Sequence, residues 1–263
     1  MNSSAIPIRK GKQLDGMRAA GATAAAILKA TAEHVRPGIT TREVDEYSAR
    51  LMADAGVRSA FLGYRGFPGH ICISMNEEVV HGIGRDRVIQ PGDIVKIDVG
   101  IVRDGWIGDN ALTVPVGPMT DEIHRLLWTT EESLAVALQY ATDGTMLGDL
   151  CHAIEQCITG NGFSVVREFV GHGVGRRLHE EPQVPNYGRK GTRPRLREGM
   201  ILAIEPMVNA GVAAVKVLDD NWTVITRDSK PSAHFEHTVL VGKGAAEVLT
   251  ARARTIPVPP ARM

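Results

Sequence analysis

The chain has 263 residues, enough for one large mixed domain or two small ones with an ample core. Lysine plus arginine equals aspartate plus glutamate at 30 each, a balance that argues against a dedicated nucleic-acid or anionic-membrane binder. Three cysteines, Cys72, Cys151 and Cys157, form neither a CxxC pair nor an even disulfide framework, and no run approaches the roughly 20 apolar residues of a membrane span, so a reducing, cytoplasmic setting is expected.

Apolar side chains at Leu14, Met17, Ala20, Ala24, Ile27 and Leu28 recur at helical spacing and predict a first helix from about Lys12 to Val35, closed by Pro37 and Gly38. Thr40 and Glu43 have capping-box spacing and open a second helix, whose buried face is Val44, Tyr47 and Leu51 and whose stop is Gly56. A third helix is expected from Asp121 to Tyr140 and a fourth from Leu147 to Thr159, with short β-rich stretches between them. The halves resemble one another: RPGITTREV with its helix is echoed by DGTMLGDLCHAIEQCITGNG, and QPGDIVKIDV by REGMILAIEP, at nearly the same separation. One domain built from two related halves is therefore expected over residues 11–250. Residues 1–10 are expected to form a disordered or extended tail, and the Pro-rich residues 251–263 to lie outside the core.

Two strands carry an acid where a buried strand should have none, Asp98 in GDIVKIDVG and Glu205 in GMILAIEPM. A carboxylate removed from water costs several kcal/mol unless a cation or donors meet it, so the pair implies a shared positive partner, read here as metal. In IVKIDVGIVRDGWIGDN, Asp104-Gly105 reads as a two-residue hairpin turn, which pairs Gly100 with Asp109 and makes Asp98 and Asp109 diagonal neighbours on one face. Taken alone, Gly108-Asp109-Asn110 reads better as a turn. His172 and His179 lie in the glycine-rich GHGVGRRLHEEP, and Glu236 stands at the start of the apolar alternation in HFEHTVLV. Four carboxylates and an imidazole form a mostly hard donor set suited to two divalent ions about 3.5–4 Å apart.

These segments together resemble type I methionine aminopeptidases. GYRGFPGHICISMNEEVVHGI, KIDVGIVRDGWIGDN, GFSVVREFVGHGVGRRLHEEPQVP, IEPMVNAG and FEHT follow the family's order and spacing from roughly Gly11 to Val241. The resemblance implies the α+β pita-bread (creatinase/aminopeptidase) fold, two pseudo-symmetric halves with a curved antiparallel sheet backed by helices. It implies removal of the N-terminal methionine from nascent proteins and peptides, preferably before a small second residue, by a hydroxide activated between two divalent ions. The ligands implied are Asp98, Asp109, His172, Glu205 and Glu236, with Asp109 and Glu236 bridging the ions. Glu205 would shuttle a proton, His179 would stabilise the oxyanion and His81 would hold the peptide nitrogen. The methionine pocket maps onto Phe61, Tyr64, Phe67, Cys72, Leu178 and Trp222.

Leu178 stands where the family commonly has an aromatic residue, Gly84 where a proline follows HGI, and Val80 where a cysteine often precedes the histidine. These departures bear on selectivity and rate rather than reaction class. His234 occupies the place of a usual glutamine, open either to donating to a ligand or to competing for metal. Cobalt, manganese, iron and zinc all suit the donors. A monomer is expected, with N-terminal peptides as partners, transient ribosome association, and neither nucleic acid nor membrane. The alternatives are a prolidase or X-prolyl aminopeptidase of the same fold, relatives that usually carry a further N-terminal domain, and a non-catalytic peptide-binding module, which typically loses the ligands.

Overall fold

The structure is a computed structural model and describes residues 5–259. Four α-helices occur among these residues: α1 (Lys12–His34), α2 (Thr41–Asp54), α3 (Asp121–Leu138) and α4 (Leu147–Gly160). Of the stripe read from the sequence, Met17, Ala20, Ala24, Ile27 and Leu28 are buried on the inward face of α1 and Leu14 is half-buried at its start; burying Ile27 or Leu28 contributes about 1.5–3 kcal/mol. The second helix begins with the reciprocal capping box. Thr40 Oγ1 accepts from the Glu43 amide at 3.2 Å, and Glu43 Oε2 accepts from the Thr40 amide at 2.7 Å. Two residues past its last turn, Gly56 takes φ 66°, a value glycine adopts without a side-chain clash. The third helix stops two residues short of the expected Tyr140.

Strand Ile94–Arg103 pairs along its whole length with Trp106–Pro115 in an antiparallel hairpin. Its other edge pairs with Cys72–Met75 and Arg58–Ser59. The turn is Asp104-Gly105, both with positive φ (50° and 74°), and Gly100 lies opposite Asp109 as counted from the sequence. Asp109 therefore belongs to a continuous strand, and the isolated turn reading of Gly108-Asp109-Asn110 is wrong. Behind this strand α1 comes so close that a Cβ on Gly108 would lie 2.5 Å from Ala20 O, so only glycine fits beside Asp109.

The second half forms a five-stranded antiparallel sheet in the order Glu247–Val248, His237–Leu240, Ile201–Ile204, Gly171–Gly173, Glu180–Val184. One side-chain hydroxyl and one backbone amide stitch it to the first hairpin. Asp109 N donates to Thr238 Oγ1 at 3.1 Å, Thr238 Oγ1 donates back to Asp109 O at 2.7 Å, and Glu236 N donates to Ala111 O at 2.8 Å. A three-stranded sheet adds a second seam, joining Glu78–Val80 to Val224–Thr226 and Val215–Val217. One apolar core runs through both halves, from Met17 and Leu28 to Ile204 and Phe235.

The described residues 5–10 form no helix or strand, as an extended segment would, yet both ends of the described chain touch the domain. Residues 1–4 and 260–263 lie outside the described residues, but Arg9 pairs with Glu180 at 2.7 Å and its amide donates to Gly199 O at 2.7 Å. Ile256, in the Pro-rich stretch, is 4% exposed. The described part of residues 251–263 is thus attached to the domain through Arg252, Thr255 and Ile256, although most of its residues stay exposed. Composition alone misses this because the contacts are made with distant segments.

Candidate active site

The central strands deliver their acids to one cavity of about 260 Å³. Asp98 comes from the middle of Ile94–Arg103 and Asp109 from its hairpin partner. His172 lies at the centre of Gly171–Gly173, Glu205 directly follows Ile201–Ile204, and Glu236 directly precedes His237–Leu240. All five line the cavity together with His81, His179, Phe61, Tyr64, Phe67, Leu178 and Trp222. Donor atoms of Asp109, His172 and Glu236 lie within 4.8 Å of one another, and His172 Nε2 is 3.4 Å from Glu205 Oε1 and 3.9 Å from Asp109 Oδ2. Larger surface clefts, of about 540 Å³ between the ends of α3 and α4 and about 650 Å³ along α1, gather no such cluster among the described residues.

The donor set fits a cation in its unpartnered oxygens and in the way its histidine is turned. Asp98 Oδ1, Asp109 Oδ1 and Glu236 Oε1 are buried without a hydrogen-bond partner, a costly arrangement for carboxylates unless something positive meets them. Burial pushes the Asp109 carboxyl up to about 7, and burial together with the neighbouring acids raises Asp98, Glu205 and Glu236 well above the ordinary range. His172 Nδ1 faces Gly173 O at 2.9 Å, so its proton is committed there and Nε2 presents its lone pair to the acids. Burial pulls this imidazole down to about 3, which keeps it neutral as a ligand must be.

The remaining histidines are held by aromatic rings. Tyr64 Oη lies 2.7 Å from His179 Nδ1, and the His179 ring stands edge-on to His172 at 4.3 Å between centroids. Burial, and secondarily Arg65, lower the His179 pKa. His81 sits at φ 59°, an uncommon conformation for a residue with a side chain, and packs edge-on against Phe169 at 5.3 Å. Burial brings it down to about 4, so it is neutral at pH 7. Phe67 and Trp222 meet edge-to-face at 5.1 Å on the apolar wall. Cys72 is the exception among the residues assigned to the pocket: it is buried opposite Asp98 in the strand register and does not line the cavity. Phe169 and Arg65 do line it and were missed, although both fall inside motifs that carried the resemblance, REFVGHG and GYRGF. His234 is 2% exposed, with Nε2 unpartnered and 3.7 Å from Glu205 Oε2.

Residues 15–243 match the family model "Metallopeptidase family M24". The chain is 49% identical over 239 residues to methionine aminopeptidase 1 of Bacillus subtilis, covering 91% of this chain and 96% of that protein. The crystal structure of methionine aminopeptidase from Thermotoga maritima superposes with a TM-score of 0.92 at 42% identity, over 94% of this chain and all (100%) of that one. A prolidase from Pyrococcus furiosus shares the fold more distantly, with a TM-score of 0.76 at 24% identity over 94% of this chain and 66% of the prolidase. Helices packed on antiparallel sheets, five acid and imidazole side chains in one cavity, and these likenesses lead to one assignment: the chain has the pita-bread fold and belongs to metallopeptidase family M24, on its methionine aminopeptidase branch.

Proposed function

We propose that this protein removes the N-terminal methionine from peptides and nascent proteins, with two divalent ions held by Asp98, Asp109, His172, Glu205 and Glu236. The observation that carries the reading is the cluster of four carboxylates in one cavity, Asp109 and Glu236 buried and Asp98 and Glu205 half-buried, three of them with buried unpartnered oxygens, facing an imidazole whose lone pair is directed among them. When bound, the ions supply Lewis acidity to the scissile carbonyl and lower the pKa of a water molecule to about 7.

The chain's own residues supply the rest. Glu205, raised in pKa by burial and by Asp98 and Asp109, takes the proton of the attacking water and returns it to the departing amine. Tyr64 Oη lies 2.7 Å from His179 Nδ1, and in the tautomer that this reading requires the hydroxyl donates to Nδ1 and the ring N–H at Nε2 is available to the developing oxyanion. Neutral His81, braced by Phe169, holds the peptide nitrogen beyond the scissile bond. Phe61, Phe67, Leu178, Phe169 and Trp222 form an apolar slot for the methionine side chain, in which sulfur against a ring gains up to about 1.5 kcal/mol. A small second residue and a cytoplasmic setting complete the proposal.

The deciding experiment is a panel of short peptides varied at the first two residues, assayed after chelation and again with manganese, iron, cobalt or zinc restored. Methionine release from Met-Ala-Ser that vanishes with chelator and returns with metal is expected. Cleavage only beside proline would shift the reading to an X-prolyl enzyme, and binding without cleavage under every metal would reduce it to a peptide-binding module.

A further inference from the structure

The C-terminal segment reaches the back of the metal-ligand cluster through one side chain. Arg252 Nη1 donates to Glu236 O at 3.1 Å, and Arg252 Nη2 donates to Ala111 O at 2.6 Å. These two carbonyls belong to segments already joined by Glu236 N donating to Ala111 O at 2.8 Å, so the guanidinium closes a three-bond staple. One member of the stapled pair is the ligand residue Glu236; the other lies two residues beyond Asp109 in the same strand. Burial lowers the Arg252 pKa only to about 10, so it stays charged at neutral pH.

The staple is itself anchored at both ends of its segment. On the near side, buried Thr250 accepts from Thr238 N at 3.0 Å, and Thr238 is the residue that brackets the Asp109 peptide from its other face. On the far side, Glu131 of α3 accepts from Thr255 N at 2.9 Å and Ile256 N at 3.1 Å and pairs with Arg254 at 3.6 Å. A carboxylate taking two backbone donors and a cation is a strong attachment for an otherwise irregular stretch of chain. Burial of Ile256 adds an apolar contact to the same attachment.

We propose that Arg252 is a positioning residue, which pins the carbonyls of Ala111 and Glu236 from the C-terminal segment and thereby holds the Asp109 and Glu236 carboxylates at metal-binding separation. The inference rests on the reading of the cavity as a divalent-metal site. Groups that orient ligands from behind typically change metal affinity ten- to hundredfold when removed. Without the guanidinium both carbonyls lose a charged donor, and the Glu236 backbone keeps its amide bond to Ala111 O but loses the one Arg252 makes to its carbonyl.

The test is calorimetric titration of manganese(II) into metal-free wild type, Arg252→Ala, Arg252→Lys and Glu131→Gln, with circular dichroism on each to confirm folding. Arg252→Ala should bind manganese about ten- to hundredfold more weakly and recover affinity when millimolar methylguanidinium is added. Arg252→Lys, with a point charge in place of the fork, should fall between. Glu131→Gln, remote from the cavity, should show a smaller loss through the loosened segment. A folded Arg252→Ala with wild-type affinity overturns the proposal. Should that variant fail to fold, wild-type affinity in both Arg252→Lys and Glu131→Gln overturns it equally. Wild type that binds no manganese defeats the metal reading underneath, a result distinct from either.

Discussion

Asp109→Asn should stabilise the metal-free protein, and by an amount that grows with pH. The native Asp109 carboxyl is raised from the ordinary 3.8 to about 7, chiefly by burial, and Asp109 is 3% exposed. A raised carboxyl pKa means that the folded chain holds a proton the unfolded chain has released, so stability is complete below about pH 4 and is lost as pH climbs toward 7. At about 1.36 kcal/mol per pH unit, the interval sets a ceiling of about 4 kcal/mol on the cost of the ionised group in the absence of a cation. Asparagine has the same shape and no charge, so it avoids that cost while its amide still lacks partners; a net gain of about 1–3 kcal/mol at pH 8 is expected. The assay is urea unfolding of chelator-treated wild type and variant at steps between pH 4 and 8. Taking the difference between the two proteins cancels the titrating groups remote from the cavity, while Asp98, Glu205 and Glu236, which the Asp109 charge raises, are relieved in the variant and add to the difference with the same sign. The difference should be near zero at pH 4 and widen steadily, with the order reversing in favour of wild type once manganese is restored, since ligand bound only to the folded chain stabilises it. A difference that stays flat from pH 4 to 8 refutes the reasoning.

Other perturbations address separate parts of the site. Glu205→Gln should leave the fold intact and lower kcat by about 10²–10⁴, measured as methionine release from a tripeptide; wild-type turnover would remove Glu205 from proton transfer. Tyr64→Phe deletes the hydroxyl that fixes the His179 tautomer at 2.7 Å, and kcat should drop roughly tenfold with little change in KM, whereas a pure KM effect would make Tyr64 a wall residue only. For His234, 3.7 Å from Glu205, substitution by glutamine should preserve manganese affinity within about threefold while alanine weakens it, because glutamine retains a donor; equal losses in both would make the ring itself a ligand. Leu178→Ala should raise KM for methionine peptides with kcat nearly unchanged, the signature of a contact made alike in ground and transition states.

Much of the molecule is written in local patterns. The Thr40/Glu43 box, the glycine stop at Gly56 and the Asp104-Gly105 turn are short-range devices whose geometry follows from three or four residues, and each stands where the sequence puts it. The hairpin count also outweighed the turn-like composition of Gly108-Asp109-Asn110, since pairing over ten residues constrains more than a tripeptide does. What stayed hidden was long-range. Cys72 and Phe61 read as equivalent pocket candidates, yet one is buried beside Asp98 on the neighbouring strand without reaching the cavity lining and the other stands on the cavity wall, a distinction set by sheet packing rather than by residue type. The Pro-rich end gave no sign of docking because its partners are backbone amides meeting Glu131, and an amide has no identity in a sequence.

Because Asp98 and Asp109 precede α3 while His172, Glu205 and Glu236 follow it, neither half of the chain possesses a complete set of donors. A protein severed between residues 116 and 120 would yield two pieces, each too poor in donors to capture an ion firmly and each exposing the face its counterpart normally covers. Reunion of such pieces would be favoured by any cation that takes donors from both of them.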